Sequence, residues 1–286
     1  MPNNAISIKN VNVFLGSFIL SNINLNVEKG TIMGFVGKNG AGKTTLIKTI
    51  LDVFRPDHGE ILFDGLPMYG NEEKIKSKIG VVFDGLIYPT SMTAKQIAKM
   101  VSPFYPDFDM EKWHNLMKRL ELYDNTKLSN FSKGMQMRFS IVMAFAQNPD
   151  ILILDEPTAG LDPAARAVIL DLMLDFMQDE NKTIFFSTHI TSDLDKIADY
   201  VTLIDNGKIM FSEEKNALLD KYALVHIEKE ALTEEMKKYL TGMKENVFGY
   251  EGLCYNKSMF QNVAGVKIAR PTVEDIMIYR GVMDDN

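Results

Sequence analysis

The chain has 286 residues, 46% of them hydrophobic, which is enough to bury the core of one large domain, alone or with a small second one. Its formal net charge of -7 argues against a nucleic-acid partner, because binding to the phosphate backbone needs clustered lysine and arginine. A single cysteine, Cys254, excludes an internal disulfide and suits a reducing cytoplasm. No run reaches the roughly 18 apolar residues of a membrane span, and residues 1–9 lack the apolar core of a signal peptide.

The first predicted elements are two half-buried strands that form an antiparallel pair. Residues 6–14 and 19–27 alternate apolar and polar side chains, and Gly16-Ser17 supplies the turn between them. Phe14 lies just before this turn, where an exposed aromatic ring could stack on a purine. The residues alone favour a core or edge position for this ring.

The next apolar run, residues 32–36, leads into a segment with the pattern of a phosphate-binding loop. Residues 37–45 match G-x-x-x-x-G-K-[ST] between a predicted strand and a predicted helix. The glycines let backbone N–H groups point at the α- and β-phosphates, Lys43 reaches the β- and γ-phosphate oxygens, and the Thr44 hydroxyl can ligate Mg²⁺. The residues assigned to the nucleotide are Gly37, Asn39, Gly40, Ala41, Gly42, Lys43, Thr44 and Thr45.

Three further apolar segments end in polar residues, as buried strands of a parallel sheet do beside a ligand. Residues 79–83 end in Asp84, residues 151–154 in Asp155 and Glu156, and residues 183–186 in Ser187, Thr188 and His189. In open α/β sheets ligands bind outside the carboxyl ends of the strands. We therefore expect these side chains and the phosphate loop to converge on one nucleotide.

The chemistry of these side chains suggests a role for each. Asp155 can hold Mg²⁺ through water, and Glu156 is placed to orient and deprotonate an attacking water. The alternative for Glu156 is that it merely caps the following helix. His189 could donate a hydrogen bond to the γ-phosphate and respond to its loss.

One more segment completes the pattern. Phe131-Ser-Lys-Gly-Met135 precedes a stretch with helical spacing, and Ser132 resembles a helix cap beside an anion-binding amino terminus. With this segment the chain resembles the nucleotide-binding subunit of an ABC transporter over about residues 6–211. The matching motifs are Walker A at residues 37–45, the signature at 131–135, Walker B at 151–157, the D-loop at 159–162 and the switch histidine His189.

The resemblance implies an α/β fold: a P-loop ABC-ATPase core with an antiparallel β subdomain and an α-helical subdomain. It also implies that ATP and Mg²⁺ are the cofactors and that two copies of the chain face each other head to tail. Ser132 and Gly134 would then contact the partner's γ-phosphate, while Lys43, Glu156 and His189 would act on the chain's own nucleotide. The family pattern further places Phe14 against the adenine and Asp162 at the nucleotide site.

The resemblance also implies a membrane partner. Subunits of this kind lie on the cytoplasmic face of the membrane, where the helical subdomain, here about residues 85–147, docks on a coupling helix of an integral membrane permease. The aromatic residues of this region either form that contact or belong to the core. They are Phe104, Tyr105, Phe108 and Trp113.

The chain departs from the family pattern in two motifs. The signature reads Phe-Ser-Lys-Gly-Met instead of Leu-Ser-Gly-Gly-Gln, a form that resembles bacterial exporters of antibiotics and peptides. Asp84 occupies a position that normally holds glutamine, which contacts Mg²⁺ and the water and relays movement to the membrane subunit. A carboxylate binds metal more strongly than an amide, so we expect Asp84 to remain a metal ligand with altered Mg²⁺ dependence.

The domain prediction is an ABC ATPase domain over residues 1–212 and a small α/β appendage over residues 213–286. In the appendage we expect strands at residues 222–227 and 247–255, a helix at 233–240 and a final helix capped by Thr272 with Asp275. A role in dimer contact or regulation and a role as an inert packing extension remain equally open.

The sequence therefore predicts an ATPase subunit that powers a separate permease, with antimicrobial or amphipathic peptides as exported cargo. Two other classes remain as alternatives. One is a soluble ABC ATPase acting on ribosomes or DNA, although neither a second cassette nor a long coiled-coil insertion is present. The other is a regulatory subunit that binds ATP without turning it over, which the presence of Glu156 and His189 disfavours.

Overall fold

The computed structural model describes residues 3–255 and 257–280. Residues 1, 2, 256 and 281–286, which the domain prediction includes, lie outside the described residues. The strands are β1 (Asn4–Leu15), β2 (Phe18–Glu28), β3 (Ile32–Val36), β4 (His58–Phe63), β5 (Leu66–Pro67), β6 (Ile79–Val82), β7 (Ile151–Asp155), β8 (Thr183–Thr188), β9 (Tyr200–Asp205), β10 (Lys208–Glu214), β11 (Ala223–Glu228), β12 (Leu240–Asn246), β13 (Gly249–Cys254) and β14 (Val266–Ala269). The α-helices are α1 (Lys43–Ile50), α2 (Glu72–Lys76), α3 (Ala94–Val101), α4 (Met110–Arg119), α5 (Lys133–Ala146), α6 (Pro163–Phe176), α7 (Thr191–Ile197), α8 (Lys215–Lys221), α9 (Glu234–Lys237) and α10 (Val273–Tyr279).

The chain divides into two compact units. The first comprises Met1–His189 and Thr202–Met210, and the second comprises Ile190–Val201 and Phe211–Asn286. The chain therefore enters the second unit directly after His189, through a segment that lies outside the predicted appendage.

A six-stranded sheet organises the first unit, with the strand order β10-β9-β3-β8-β7-β6. Strands β3, β8, β7 and β6 pair in parallel. Every residue of β3, β7 and β8 is buried, which explains why these strands are continuous apolar runs: helices cover both faces of a parallel sheet. The carboxyl ends of these strands lie at one edge, where the polar residues predicted from the sequence follow.

A second sheet in the first unit has the order β2-β1-β4-β5. Strands β1 and β2 pair antiparallel, with Phe14 opposite Ile19 and Leu15 opposite Phe18, which confirms the predicted hairpin. Because side chains alternate between the two faces of a sheet, Phe14 and Phe18 lie on opposite faces of this hairpin.

Helices α3, α4 and α5 form the predicted helical region of the first unit. Thr93 and Gln96 form a capping box at the start of α3, and Asp109 caps α4 through the Lys112 amide. Trp113 is fully buried and therefore belongs to the core, whereas Phe104 is 77% exposed. The four aromatic residues of this region thus have different environments.

The second unit contains an antiparallel sheet with the order β12-β13-β11-β14. Its core includes Val225, Ile227 and Phe260 together with the buried thiol of Cys254. The predicted helix at residues 233–240 is wrong beyond its first turn, because α9 ends at Lys237 and Leu240 begins β12. Strand pairing with β13 and the left-handed backbone of Gly242, at φ 63°, prevail there over the local helical pattern.

The capped helix near the C-terminus is confirmed. Thr272 and Asp275 form both bonds of a capping box at the start of α10. Among the described residues, none of the helices combines the length and the apolar character that a transmembrane span requires.

Candidate active site

A cavity of about 340 Å³ lies at the carboxyl edge of the parallel strands. The phosphate loop, the end of β6 and the end of β7 all contribute to its wall. The lining residues are Phe18, Asn39, Gly40, Gly42, Lys43, Thr44, Thr45, Asp84 and Glu156. The structure thus brings these three segments together with Phe18 of β2.

Two glycines of the phosphate loop occupy positions that no other residue could fill. A Cβ atom on Gly37 would come within 2.4 Å of the Ile204 carbonyl oxygen. Gly42 has φ 114° and precedes α1, and a Cβ atom there would lie 2.9 Å from Cζ of Phe18. The loop backbone can therefore turn its amides inward only because these positions carry no side chain.

Lys43 of the loop is 6% exposed and its amine is held from two sides. Its Nζ donates to the Gly37 carbonyl oxygen at 2.8 Å and lies 3.2 Å from Oε1 of Glu156. The carboxylate that follows β7 and the amine of the loop are therefore direct neighbours. A phosphate group entering the cavity would meet the lysine amine beside this carboxylate.

Asp155 is fully buried and accepts two hydroxyl hydrogen bonds. Thr44 Oγ1 donates to its Oδ2 at 2.7 Å, and Ser187 Oγ donates to its Oδ1 at 2.5 Å. Burial raises the pKa of Asp155, and the two hydroxyl donors partly oppose that shift. The pair of oxygen groups from Thr44 and Asp155 is a donor set suited to a hard divalent cation.

Glu156 follows β7 in a strained backbone conformation. Its φ is +53°, a left-handed value that a side chain of this size rarely adopts. The Glu156 amide donates to Oγ of Ser187 at 3.0 Å, and its Oε2 lies 2.7 Å from Nδ1 of His189. The backbone turn thus aims a nearly buried carboxylate at the histidine that follows β8, as strained residues at functional sites often do.

Ser187 is a residue of this site to which the sequence analysis gave no role. It connects Asp155 and Glu156, since its hydroxyl donates to the Asp155 carboxylate and accepts from the Glu156 amide. The sequence feature that could have indicated a role for Ser187 is its position near the end of the buried strand β8. Phe18 was also missed, because its place at the cavity depends on which face of the hairpin each residue occupies.

Asp84 follows β6 at the cavity wall, and its side chain is about half exposed. Its Oδ1 lies 4.0 Å from Nζ of Lys133, which is the first residue of α5. Two of the positions that depart from the family pattern are therefore neighbours within one chain.

Four of the predicted nucleotide residues belong to other segments and do not line this cavity within the described part of the chain. Ser132 caps α5 by accepting from the Met135 amide at 3.2 Å, and Gly134 lies in the same first turn. Asp162 caps α6, and the hydrogen bonds from the Ala165 and Ala164 amides keep the pKa of Asp162 below its usual value. Phe14 is 53% exposed on the hairpin.

Comparison with known proteins identifies relatives of this chain. A family model described as ABC transporter matches residues 20–159. The bacitracin transport ATP-binding protein BcrA of Bacillus licheniformis is 33% identical over 67% of this chain and 63% of its own length. The methionine import ATP-binding protein MetN of Lactobacillus acidophilus is 32% identical over 91% of this chain and 78% of its own length.

A solved structure has the same architecture. It is a dimeric, post-hydrolysis state of the ATP-binding cassette MJ0796 bound to ADP and Pi, with a TM-score of 0.65 and 25% identity over 73% of this chain and 98% of that chain. The fold class predicted from the sequence is thereby confirmed. The match also supports ATP hydrolysis, because the cassette was captured with the products of that reaction. The chain belongs to the ATP-binding subunits of ABC transporters and is an ATPase.

Proposed function

We propose that this chain hydrolyses ATP as one half of a homodimer and powers a separate membrane permease. The observation that carries the proposal is the arrangement of Glu156 between Lys43 of the phosphate loop and His189 at the end of β8. A nearly buried carboxylate beside a phosphate-binding lysine is positioned to deprotonate a water molecule that attacks the terminal phosphate.

The residues of the site then have separate roles. The loop amides bind the α- and β-phosphates, and Lys43 binds the β- and γ-phosphates. Glu156 acts as general base, and His189 orients Glu156 and donates to the γ-phosphate. The contact of 2.7 Å between His189 Nδ1 and Glu156 Oε2 supports this pairing. The imidazole of His189 can carry its proton on either ring nitrogen, and the hydrogen-bond partners of the two nitrogens decide which of them carries it.

Thr44, Asp155 and Asp84 are the residues that would hold Mg²⁺. Their oxygen atoms fit the preference of this ion, and Thr44 and Asp155 already lie within hydrogen-bond distance of each other. Bound Mg²⁺ would neutralise charge on the phosphates. Ser187 would keep the Asp155 carboxylate aimed at that position through its hydroxyl donor.

The dimer explains the residues that lie away from the cavity. Ser132 caps α5 and Gly134 lies in its first turn, where the helix dipole favours an anion. In a head-to-tail pair this end of α5 would face the γ-phosphate of the partner chain, with Asp162 close by. The dimeric state of the related MJ0796 cassette supports this arrangement.

A groove in the first unit suits a docked segment of the permease. It has a volume of about 1030 Å³ and lies between α2 and residues 103–106, with Phe104 as its most exposed aromatic residue. Charged side chains of α2, among them Glu73 and Lys76, form the opposite wall. Such a mixture of one apolar anchor and a charged rim is typical of protein interfaces. The chain would then lie on the cytoplasmic face of the membrane.

We assign the cargo to antimicrobial or amphipathic peptides and the direction to export. The relation to a bacitracin transport ATP-binding protein supports the cargo class. A methionine import protein of similar identity is also a relative, so the direction rests on the Ser132-Lys-Gly-Met135 signature. Residues 213–286 are proposed to be an accessory domain for dimer contact or regulation.

Affinity capture of the tagged chain from detergent-solubilised membranes of its native host tests the permease. A polytopic membrane protein recovered in near-equal amount supports the proposal, whereas ribosomal proteins or no partner would favour the soluble ATPase. Phe104→Glu should lose the membrane partner. Phe248→Glu, at a residue that is 88% exposed in the second unit, is the matched control and should retain it.

A further inference from the structure

The switch histidine is followed almost at once by a helix of the second unit. Ile190 alone separates His189 from α7, which begins at Thr191. The chain passes from the first unit to the second at this point. The backbone of His189, whose amide and imidazole both contact Glu156, is therefore covalently joined to α7 through one residue.

The start of α7 is held by the C-terminal helix α10. Thr191 is 6% exposed, and its hydroxyl donates to Oε2 of Glu274 at 2.9 Å. In return, the Val273 amide at the start of α10 donates to Oδ1 of Asp195 at 3.2 Å. Glu274 of α10 thus accepts a hydrogen bond from the first residue of α7, and Asp195 in the second turn of α7 accepts from an amide at the start of α10 that has no partner within its own helix.

The end of α7 is held by α8 of the same unit. The Nζ of Lys215 donates to the carbonyl oxygens of Leu194 at 3.2 Å and Asp195 at 2.8 Å. The Leu194 carbonyl also accepts from the Ala198 amide at 3.0 Å, so Lys215 supplies it with a second donor, and a cation at this end complements the helix dipole. The short helix α7 is therefore fixed at both ends by residues C-terminal to the ATPase motifs.

The helix α10 is in turn anchored to the sheet of the second unit. Its capping box fixes the first turn, and Tyr279 near its end donates a hydrogen bond to Glu251 of β13. A continuous path of contacts therefore runs from β13 through α10 to Thr191, two residues from the switch histidine.

We propose that the hydrogen bond between Thr191 and Glu274 is a positioning contact through which the C-terminal unit sets the orientation of His189 and hence the rate of ATP hydrolysis. This inference depends on the role of His189 proposed above. It gives residues 213–286 a regulatory role, because an event that displaces α10 would change turnover without changing nucleotide binding. Thr191 and Glu274 act only through His189 and do not contact the nucleotide.

The test compares Thr191→Val with Thr191→Ser and with Thr233→Val. The first variant removes the hydroxyl at nearly constant size, and the second retains it. The third makes the same chemical change at the cap of α9, in the same unit but away from α7, where the Thr233 hydroxyl accepts from the Met236 amide. Loss of one such hydrogen bond should lower kcat of Thr191→Val about threefold to tenfold, with KM for ATP within about twofold.

Two further measurements separate positioning from mere folding. Thr191→Ser should recover native kcat, and Thr233→Val should keep native kcat even where its thermal stability falls. The imidazole NMR signals of His189, assigned by their loss in His189→Gln, should shift in Thr191→Val and Glu274→Ala but not in Thr233→Val. Glu274→Gln retains an acceptor oxygen and should behave as the native chain.

The outcomes distinguish this inference from the proposed function. Native kcat and unshifted His189 signals in a folded Thr191→Val would overturn the positioning role while leaving the ATPase assignment intact. Equal losses of kcat in Thr191→Val and Thr233→Val would also overturn it, because the effect would then be general destabilisation. If His189→Gln keeps native turnover, the role of His189 itself fails, whatever the NMR signals of the other variants.

Discussion

Nζ of Lys133 lies 4.0 Å from Oδ1 of Asp84, so the chain carries a charge pair at the two positions where its family has glycine and glutamine. Both side chains are exposed, at 85% and 50%, and such a pair contributes at most about 1 kcal/mol. The pair between Lys133 and Asp84 therefore contributes little to stability, and its expected effect is on Mg²⁺ binding. The lysine competes for the carboxylate that we expect to bind Mg²⁺, and it stands on the helix that would meet the partner's phosphate.

The first prediction concerns Mg²⁺ dependence. Asp84→Asn should raise the free Mg²⁺ needed for half-maximal ATPase activity about threefold to tenfold, because an amide is a weaker ligand than a carboxylate. Lys133→Met should lower it by about threefold or less, since the competing cation is removed. Titration of ATPase activity with Mg²⁺ measures both changes.

Lys118→Met, on the exposed face of α4, is the control for loss of one positive charge. In the Asp84→Asn background Lys133→Met should have no further effect on Mg²⁺ dependence. If Asp84→Ala leaves turnover, Mg²⁺ dependence and the response to the permease all unchanged, the role of Asp84 is excluded.

The second prediction concerns the general base. Glu156→Gln should lower turnover by about 10²-fold or more while ATP binding stays within about twofold, because the amide keeps the shape of the carboxylate but accepts no proton. Steady-state ATPase assays and equilibrium binding of a fluorescent ATP analogue measure the two quantities. Glu180→Gln, at an exposed position, is the control. Near-native turnover in Glu156→Gln would show that Glu156 is not the general base and would make Asp84 the next candidate.

The sequence could predict much of this site for a physical reason. Polar residues after buried parallel strands meet at one edge of the sheet, so the neighbourhood of Thr44, Asp155, Glu156 and His189 follows from strand type and strand ends alone. The capping boxes at Thr93 and Thr272 are likewise local patterns, although only the second was predicted.

Other features depend on contacts between segments distant in the sequence. The left-handed conformation of Glu156 and its bond to Ser187 require two neighbouring strands in register. The proximity of Asp84 and Lys133 requires the fold of the helical region. At residues 238–240 the predicted helix failed because α9 ends at Lys237 and β12, which begins at Leu240, pairs with β13.

The third prediction separates the roles of two aromatic residues. Phe14→Ala should weaken ATP binding about tenfold, as expected for loss of one base-stacking contact, and should leave binding of inorganic tripolyphosphate unchanged. Phe18→Ala should weaken binding of both, because Phe18 packs against the phosphate loop at Gly42. Isothermal titration calorimetry with the two ligands provides the measurement. A Phe14→Ala variant with native affinity for ATP would remove Phe14 from the site.

The fourth prediction concerns the pH dependence of stability. It involves the amino-terminal ends of the parallel strands, opposite the ends that carry the candidate active site. Asp150 directly precedes β7 and accepts from Lys78 at 2.9 Å and Lys182 at 3.3 Å, which precede β6 and β8. Burial raises the pKa of Asp150, but the hydrogen bonds and charges of the two lysines outweigh burial and leave it below the ordinary value of 3.8. The carboxylate thus ties together the starts of three parallel strands.

Asp150→Asn should therefore lower the free energy of unfolding at pH 7 by no more than about 1 kcal/mol, because solvent screens a group that is still partly exposed. The pKa is lower in the folded chain than in the unfolded one, so this contribution is present above pH 3.8 and disappears as the pH falls through the lowered value. Urea unfolding of the native chain and the variant from pH 7 downward measures the difference. Asp171→Asn, an exposed site on α6, should show no comparable loss, and both variants should keep native turnover. A difference that stays constant to the lowest pH at which both chains fold would show that its source is packing and not the ion pairs.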